Sequence, residues 1–218
     1  MKIVRPYFFE PILIEEGISE TLIIENNACF RKVVDDLVEQ AETDIGDYVI
    51  SEGNDILSVS KSSMIITDPS HIDFDARPLK SKLNQVIAKE YNENNHIELL
   101  VKVNQLGAEI CNNSRFPLTF NMNLALADLI KWLDLGIDHS SLNQIEKIFE
   151  FINICPELLS KSLIITIGLK DLFDDEEYFE FEKMIRYKQV RLLYVEHRIH
   201  EFDDILHRRI IDEDLCVI

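Results

Sequence analysis

Two rhythms of apolar residues run along the chain, and their order predicts most of its elements. Ile12-Leu13-Ile14 and Leu22-Ile23-Ile24 are short apolar clusters separated by the turn signal Glu15-Glu16-Gly17, which fits two strands. From Cys29 to Ala41 the spacing lengthens. Phe30, Val33, Val34, Leu37, Val38 and Ala41 then recur as on an amphipathic helix, whose polar side carries Asp35, Asp36 and Glu39. Ile56–Val59 and Met64–Thr67 return to the short runs of strands, and Asp68-Pro69 ends the second.

The helical spacing then takes over. Arg77-Pro78 opens it, since Pro suits a first turn, and Leu79, Leu83, Val86, Ile87, Ile97, Leu100, Val101, Val103 and Leu106 predict a long helix to about Asn112. Further helices are predicted from about Leu124 to Leu135 and from Ser141 to Ile154, the latter stopped by Cys155-Pro156. Strand Leu163–Ile167, helix Asp174–Tyr187 and strand Val190–Val195 follow, in the order of a parallel β-α-β crossover. The expected fold is therefore α/β. A mainly parallel sheet is assembled from residues 1–76 and 155–218, and a helical leg, 77–154, is inserted between its halves. Such an arm has more surface than its own core needs, which makes it the natural oligomer interface.

Composition adds little to this picture except by exclusion. At 218 residues, 46 % hydrophobic and 28 % charged, the chain can bury a sizeable core without disulfides or metals. Its apolar runs fall far short of the roughly 20 residues that span a bilayer. The opening Met-Lys-Ile-Val-Arg-Pro does not read as a signal peptide, so a cytoplasmic protein with no membrane partner is expected. Cys29, Cys111, Cys155 and Cys216 are scattered and expected to be reduced, mostly buried thiols. His197 and His200 stand three apart, and a surface or core role is expected for them rather than metal ligation.

Charge matters through its distribution. The formal net charge of -18 opposes nucleic-acid binding, yet residues 61–115 carry 7 basic and 7 acidic side chains while residues 1–60 carry 4 and 13. No acid occurs from Ala76 to Lys89, where Arg77, Lys80, Lys82 and Lys89 lie. A helical projection places Arg77 and Lys80 on one flank of the apolar stripe and Lys82 and Lys89 on the other. An acidic exterior with one basic face would direct a polyanion to that face.

Catalytic motifs are missing. Met64-Ile65-Ile66-Thr67-Asp68 has the form of the strand that ends in a Mg²⁺-binding Asp in phosphate-loop NTPases, but any buried strand before an Asp-Pro turn gives it. No Gly-x-x-x-x-Gly-Lys-[Ser/Thr] loop and no Gly-x-Ser-x-Gly elbow accompanies it. The run Asp174-Asp175-Glu176-Glu177 sits where a helix begins, and acids there oppose the helix dipole.

Several segments together resemble the small adaptation protein of type II-A CRISPR systems, a family that forms rings around double-stranded DNA ends. They are Glu10-Pro11-Ile12, Thr67-Asp68, Asp73-Phe74-Asp75, Leu129-Ile130-Lys131, Leu163-Ile164-Ile165-Thr166-Ile167-Gly168, Leu192-Leu193-Tyr194-Val195-Glu196-His197-Arg198 and Ile211-Asp212-Glu213-Asp214, in the family's order. The resemblance implies a head related to a degenerate phosphate-loop fold, a helical leg and a homotetrameric ring with a basic channel. It implies no enzymatic activity, and a role in holding linear DNA during spacer acquisition beside the spacer integrase and the RNA-guided nuclease. It also implies calcium bound by acids just before the Leu-Ile-Lys helix. Here Arg115 to Asn123 contains no carboxylate and only Asp128 keeps an acidic match, so Asp128 is the one candidate calcium ligand that the resemblance leaves, and no cofactor is assigned.

The expected function is thus a non-catalytic, sequence-independent binder of duplex DNA, with Lys61, Arg77, Lys80, Lys82 and Lys89 as phosphate contacts. Lys183, Arg186, Lys188 and Arg191 form the alternative basic face. Two other readings stand beside it: an acidic adaptor that docks a basic adaptation protein, and a metal-dependent nuclease using scattered carboxylates.

Overall fold

The most apolar runs of the sequence become the middle of a five-stranded sheet. A computed structural model describes residues 1–5, 10–91 and 96–218, apart from the side chain of Cys155. The chain forms two compact units, residues 1–72 with 139–218, and residues 73–138. In the first, β3 (Glu20–Ile24), β6 (Ser63–Ile66), β7 (Leu163–Ile167), β8 (Leu192–Glu196) and β9 (Arg208–Ile211) pair in the order β6-β7-β8-β3-β9, with every pair parallel. β3, β7 and β8 are buried along their whole length, as a parallel sheet covered on both faces requires. The predicted crossover is β7, α7 (Asp175–Lys188) and β8.

One face of this sheet packs on α1 (Asn27–Thr43) through Val33 and Leu37, in a cluster with Leu22, Ile24, Leu163, Ile165 and Leu193. The same cluster takes in Ile3, Ile12 and Ile50 from an antiparallel sheet, β2 (Ile12–Leu13), β1 (Lys2–Val4), β4 (Val49–Glu52) and β5 (Asp55–Leu57) in that order. Gln40 pins the loop between α1 and β4: its side-chain amide donates to Tyr48 O and accepts from Tyr48 N–H, each at 2.8 Å. The side chains of Ile164 and Thr166 point to the opposite face, since strand residues alternate. There Phe149 of α6 (Gln144–Leu159) meets Phe181 of α7 edge-on, 6.1 Å between ring centroids.

Several predicted boundaries move. Ser58 caps a short helix, α2 (Val59–Ser62), so the strand expected to reach Val59 stops at Leu57. β6 is an edge strand, paired only with β7. α6 runs through Pro156 to Leu159 and belongs to the first unit rather than to the inserted arm, because Ile148 and Ile152 are buried and Gln144 donates to the carbonyls of Pro69 and Ser70. The second unit holds α3 (Arg77–Glu90), α4 (Ile97–Asn113) and α5 (Leu126–Trp132). The helix expected to cross 92–95 falls there on residues outside those described; Tyr91, before them, is already extended. No helix of the described residues is long and apolar enough to cross a membrane.

The carboxyl ends of the strands are filled by the protein's own charges. Lys170, in a 3₁₀ turn after β7, is buried and donates to Thr21 Oγ1 at 2.8 Å and to the Asp203 carboxylate, with the Tyr178 and Tyr194 rings 5.1 and 4.6 Å from its ammonium. Its backbone N–H donates to Glu196 Oε1 at 3.1 Å. Burial pushes the Glu196 carboxyl up to about 8, with Lys170 offsetting only part of the effect.

Glu196 therefore keeps a proton in the fold that the unfolded chain releases near 4.5. Its contribution to stability is present below about 4.5 and is lost as pH rises toward about 8. Glu196→Gln, which keeps the acceptor for Lys170 N–H, is expected to raise the thermal midpoint at pH 9 by roughly 5–10 °C, corresponding to a few kcal/mol. The gap should close at pH 5; equal midpoints for both proteins at both pH values would refute the buried proton.

Candidate nucleic-acid interface

α3 places a polar face against α5. Arg77, Lys80, Ser81, Asn84, Gln85, Ala88 and Lys89, spaced by three and four residues, line one wall of a groove of about 710 Å³, and Ala127, Asp128, Lys131 and Asp134 line the other. The apolar stripe of α3 points elsewhere and buries Leu79. The structure thus brings together Arg77, Lys80 and Lys89, three of the five expected phosphate contacts. Lys82, which the helical projection set beside Lys89, is exposed outside the groove. The two lie seven residues apart, about 10 Å along the axis, and only Lys89 reaches the opening. Lys61 lies exposed in the last turn of α2, in the other unit.

The groove's cations are not equivalent. Lys80 Nζ sits between two carboxylates, 3.0 Å from Asp75 Oδ1 and 3.2 Å from Asp134 Oδ1, and these bonds raise its pKa. Arg77, Lys89 and Lys131 make no ion pair among the described residues. Lys131 is a groove residue that charge reasoning missed: it stands alone between apolar neighbours, and only its place in the Leu-Ile-Lys match marked it. The alternative face is more fully paired. Arg191 bridges Glu16 and Glu52, each at 2.8 Å, and Lys183 meets Glu180 at 2.6 Å. Arg186 lines one cavity with Tyr178 and Glu182, whereas Lys188 lines another with Arg191.

The acidic candidates are absorbed into turns and caps. Asp128 Oδ2 accepts from Ala125 N–H at 3.0 Å and so caps α5. Among the described residues no three His, Cys, Asp or Glu side chains come together to hold a metal ion. Asp68 accepts from Ser70 N–H at 3.2 Å, a bond within its own turn. Asp174 and Glu177 form a reciprocal capping box at the start of α7. His197 and His200 do not share a helix: they follow β8, His197 against Phe30 and His200 stacked on Phe202. The cysteines are less buried than expected, Cys29 and Cys111 being half-buried and Cys216 exposed, while the side chain of Cys155 lies outside the described residues.

Two further features frame the groove's role. In an open parallel sheet, ligands bind beyond the carboxyl ends of the strands where strand order reverses, here beside β3. β3 passes through only Glu25 and Asn26 into α1, and Asn26 caps that helix by accepting from Cys29 N–H. A two-residue junction has no backbone to wrap a phosphate, and the acid beside it repels one. In the second unit, α4 has no buried residue at all, although Ile97, Leu106 and Ile110 are each more than half exposed.

Comparisons with known proteins agree with the sequence resemblance. The chain is 24 % identical over 160 residues to the CRISPR-associated protein Csn2 of Streptococcus agalactiae, covering 71 % of each chain. A Pyrococcus furiosus chain named for an ABC transporter ATP-binding protein superposes over 96 % of both chains, but with a TM-score of 0.38 and 10 % identity it carries no argument. The family model described as CRISPR-associated protein (Cas_Csn2) matches residues 40–215. That match spans most of the chain, and the protein belongs to the Cas_Csn2 family of CRISPR-associated proteins.

Proposed function

We propose that this protein is a non-catalytic, sequence-independent binder of duplex DNA that assembles into a homotetrameric ring around linear DNA ends. In this reading it acts in the cytoplasm and supports spacer acquisition in type II-A CRISPR immunity, alongside the spacer integrase and the RNA-guided nuclease. The observation that carries it is the α3/α5 groove, where Arg77, Lys89 and Lys131 have no carboxylate partner among the described residues and Ser81 and Gln85 add neutral donors. Such a surface suits phosphodiester oxygens and reads no bases. Lys82 and Lys61 are exposed and available as further contacts. Self-assembly is supported by α4, since a helix with that many exposed apolar side chains needs a cover and a second copy supplies one of matching chemistry. Absence of catalysis is supported by the two-residue β3–α1 junction and by the caps that engage Asp68, Asp128 and Asp174.

A second reading, an adaptor for a basic adaptation protein, is favoured by the net charge of -18 and by the exposed acids Asp174, Asp175, Glu176, Glu177 and Glu180 on α7. Retention of linear but not relaxed circular plasmid by the purified protein is expected from a ring, and equal retention of both would rule out threading. Replacing Lys89 and Lys131 by Met should weaken binding and reduce the slope of log affinity against log salt by about 2, one per lost phosphate contact. An unchanged slope would move the contacts elsewhere. Light scattering on Leu106→Glu/Ile110→Glu should give a smaller particle than the parent; the same mass would remove α4 from the interface.

A further inference from the structure

Within the groove, one cation is already engaged. Asp75, in the segment before α3, and Asp134, after α5, reach Lys80 Nζ from two sides at 3.0 and 3.2 Å. Asp134 holds its position with φ 49, in the left-handed region that costs an L-residue energy and that Asp and Asn tolerate better than most. The Asp75 carboxylate also lies beside Gly136, which the chain reaches just after Asp134. Both carboxylates are exposed, whereas the Lys80 side chain is only 26 % exposed. Arg77, Lys89 and Lys131 line the same groove without such partners.

Resting on the duplex-DNA reading above, we infer that Asp75 and Asp134 act as an internal stand-in for phosphate, clamping Lys80 so that a DNA backbone engages it only by displacing them. A carboxylate pair and a phosphodiester offer the ammonium the same kind of anionic oxygen. The exchange trades two carboxylate pairs for one phosphate contact and releases two carboxylates into the groove, where they repel the incoming strand. The clamp therefore subtracts from affinity while Arg77, Lys89 and Lys131 supply it. It weakens the ring's hold on any one stretch of backbone, which favours movement along the duplex over tight local binding.

The test compares the protein with Asp75→Asn/Asp134→Asn and with that variant also carrying Lys80→Met, using a short linear duplex across a salt series. Asn keeps the side-chain size and suits the left-handed backbone at position 134. Freeing Lys80 should tighten binding severalfold and steepen the salt slope by about 1, and adding Lys80→Met should remove the extra slope. A slope unchanged in the Asn variant, or still raised once Lys80 is gone, would overturn the clamp. Limited acylation with an N-hydroxysuccinimide ester, read residue by residue by mass spectrometry, decides the same point without DNA. Lys80 should react more slowly than Lys89 and Lys131 in the parent and speed up in the Asn variant. Equal rates in the parent would refute the clamp, whereas a parent that binds no duplex would refute the DNA reading instead.

Discussion

A single buried ammonium ties the head unit together. Lys170 meets Thr21 of β3, the rings of Tyr178 in α7 and Tyr194 in β8, and Asp203 in the segment leading to β9. A charge so placed is tolerable only when each partner is present, and removing one partner of a buried pair typically costs about 3–5 kcal/mol. Neighbouring bonds extend the arrangement. Tyr194 donates to Glu182 Oε1 at 2.7 Å, Ser19 donates to its other oxygen at 2.6 Å, and His200 N–H donates to Asp203 Oδ2 at 2.8 Å. The place where related sheets accommodate ligands is thus occupied by side chains that fix the relative positions of the strands.

How much of this was legible in the sequence depended on the range of the cause. Helix α1, strand β7 and the β7-α7-β8 crossover could be read because their periodicity is local and strong. The antiparallel sheet could not, since β1 and β4 are short and unremarkable alone, and Ile3 pairs with Ile50 across 47 positions. Pro156 reads as a helix stop in the sequence, yet buried Leu158 beyond it rewards continuing the helix more than the lost N–H bond penalises it. Within the groove, the sequence located Arg77, Lys80 and Lys89 through the acid-free window but not their inequivalence. That came from Asp75 and Asp134, one before the window and one 54 positions after Lys80. Lys82 lies outside the groove, which a helical projection does not show because it records angle and ignores distance along the axis.

The electrostatics follow the same division. Although the net charge is -18, the groove presents cations that make no ion pair among the described residues, because the carboxylates beside them are engaged elsewhere. Asp128 is committed to capping α5, and Asp75 and Asp134 are committed to Lys80. Outside the groove, Arg191 and Lys183 are met by acids at 2.8 and 2.6 Å. Net charge accordingly says little about which surface a polyanion prefers; the local ledger of paired and unpaired groups says more.

The far side of β9 is closed by the chain itself. Ile210 and Ile218 exchange both backbone bonds, at 3.2 and 2.9 Å, and Ile211 bridges Val217 in antiparallel register. An open strand edge is a template on which copies can add without limit. With β9 covered by residues 216–218, β6 is the one margin of this five-stranded sheet that lacks a strand neighbour among the described residues, so the sheet does not offer two open edges for head-to-tail stacking.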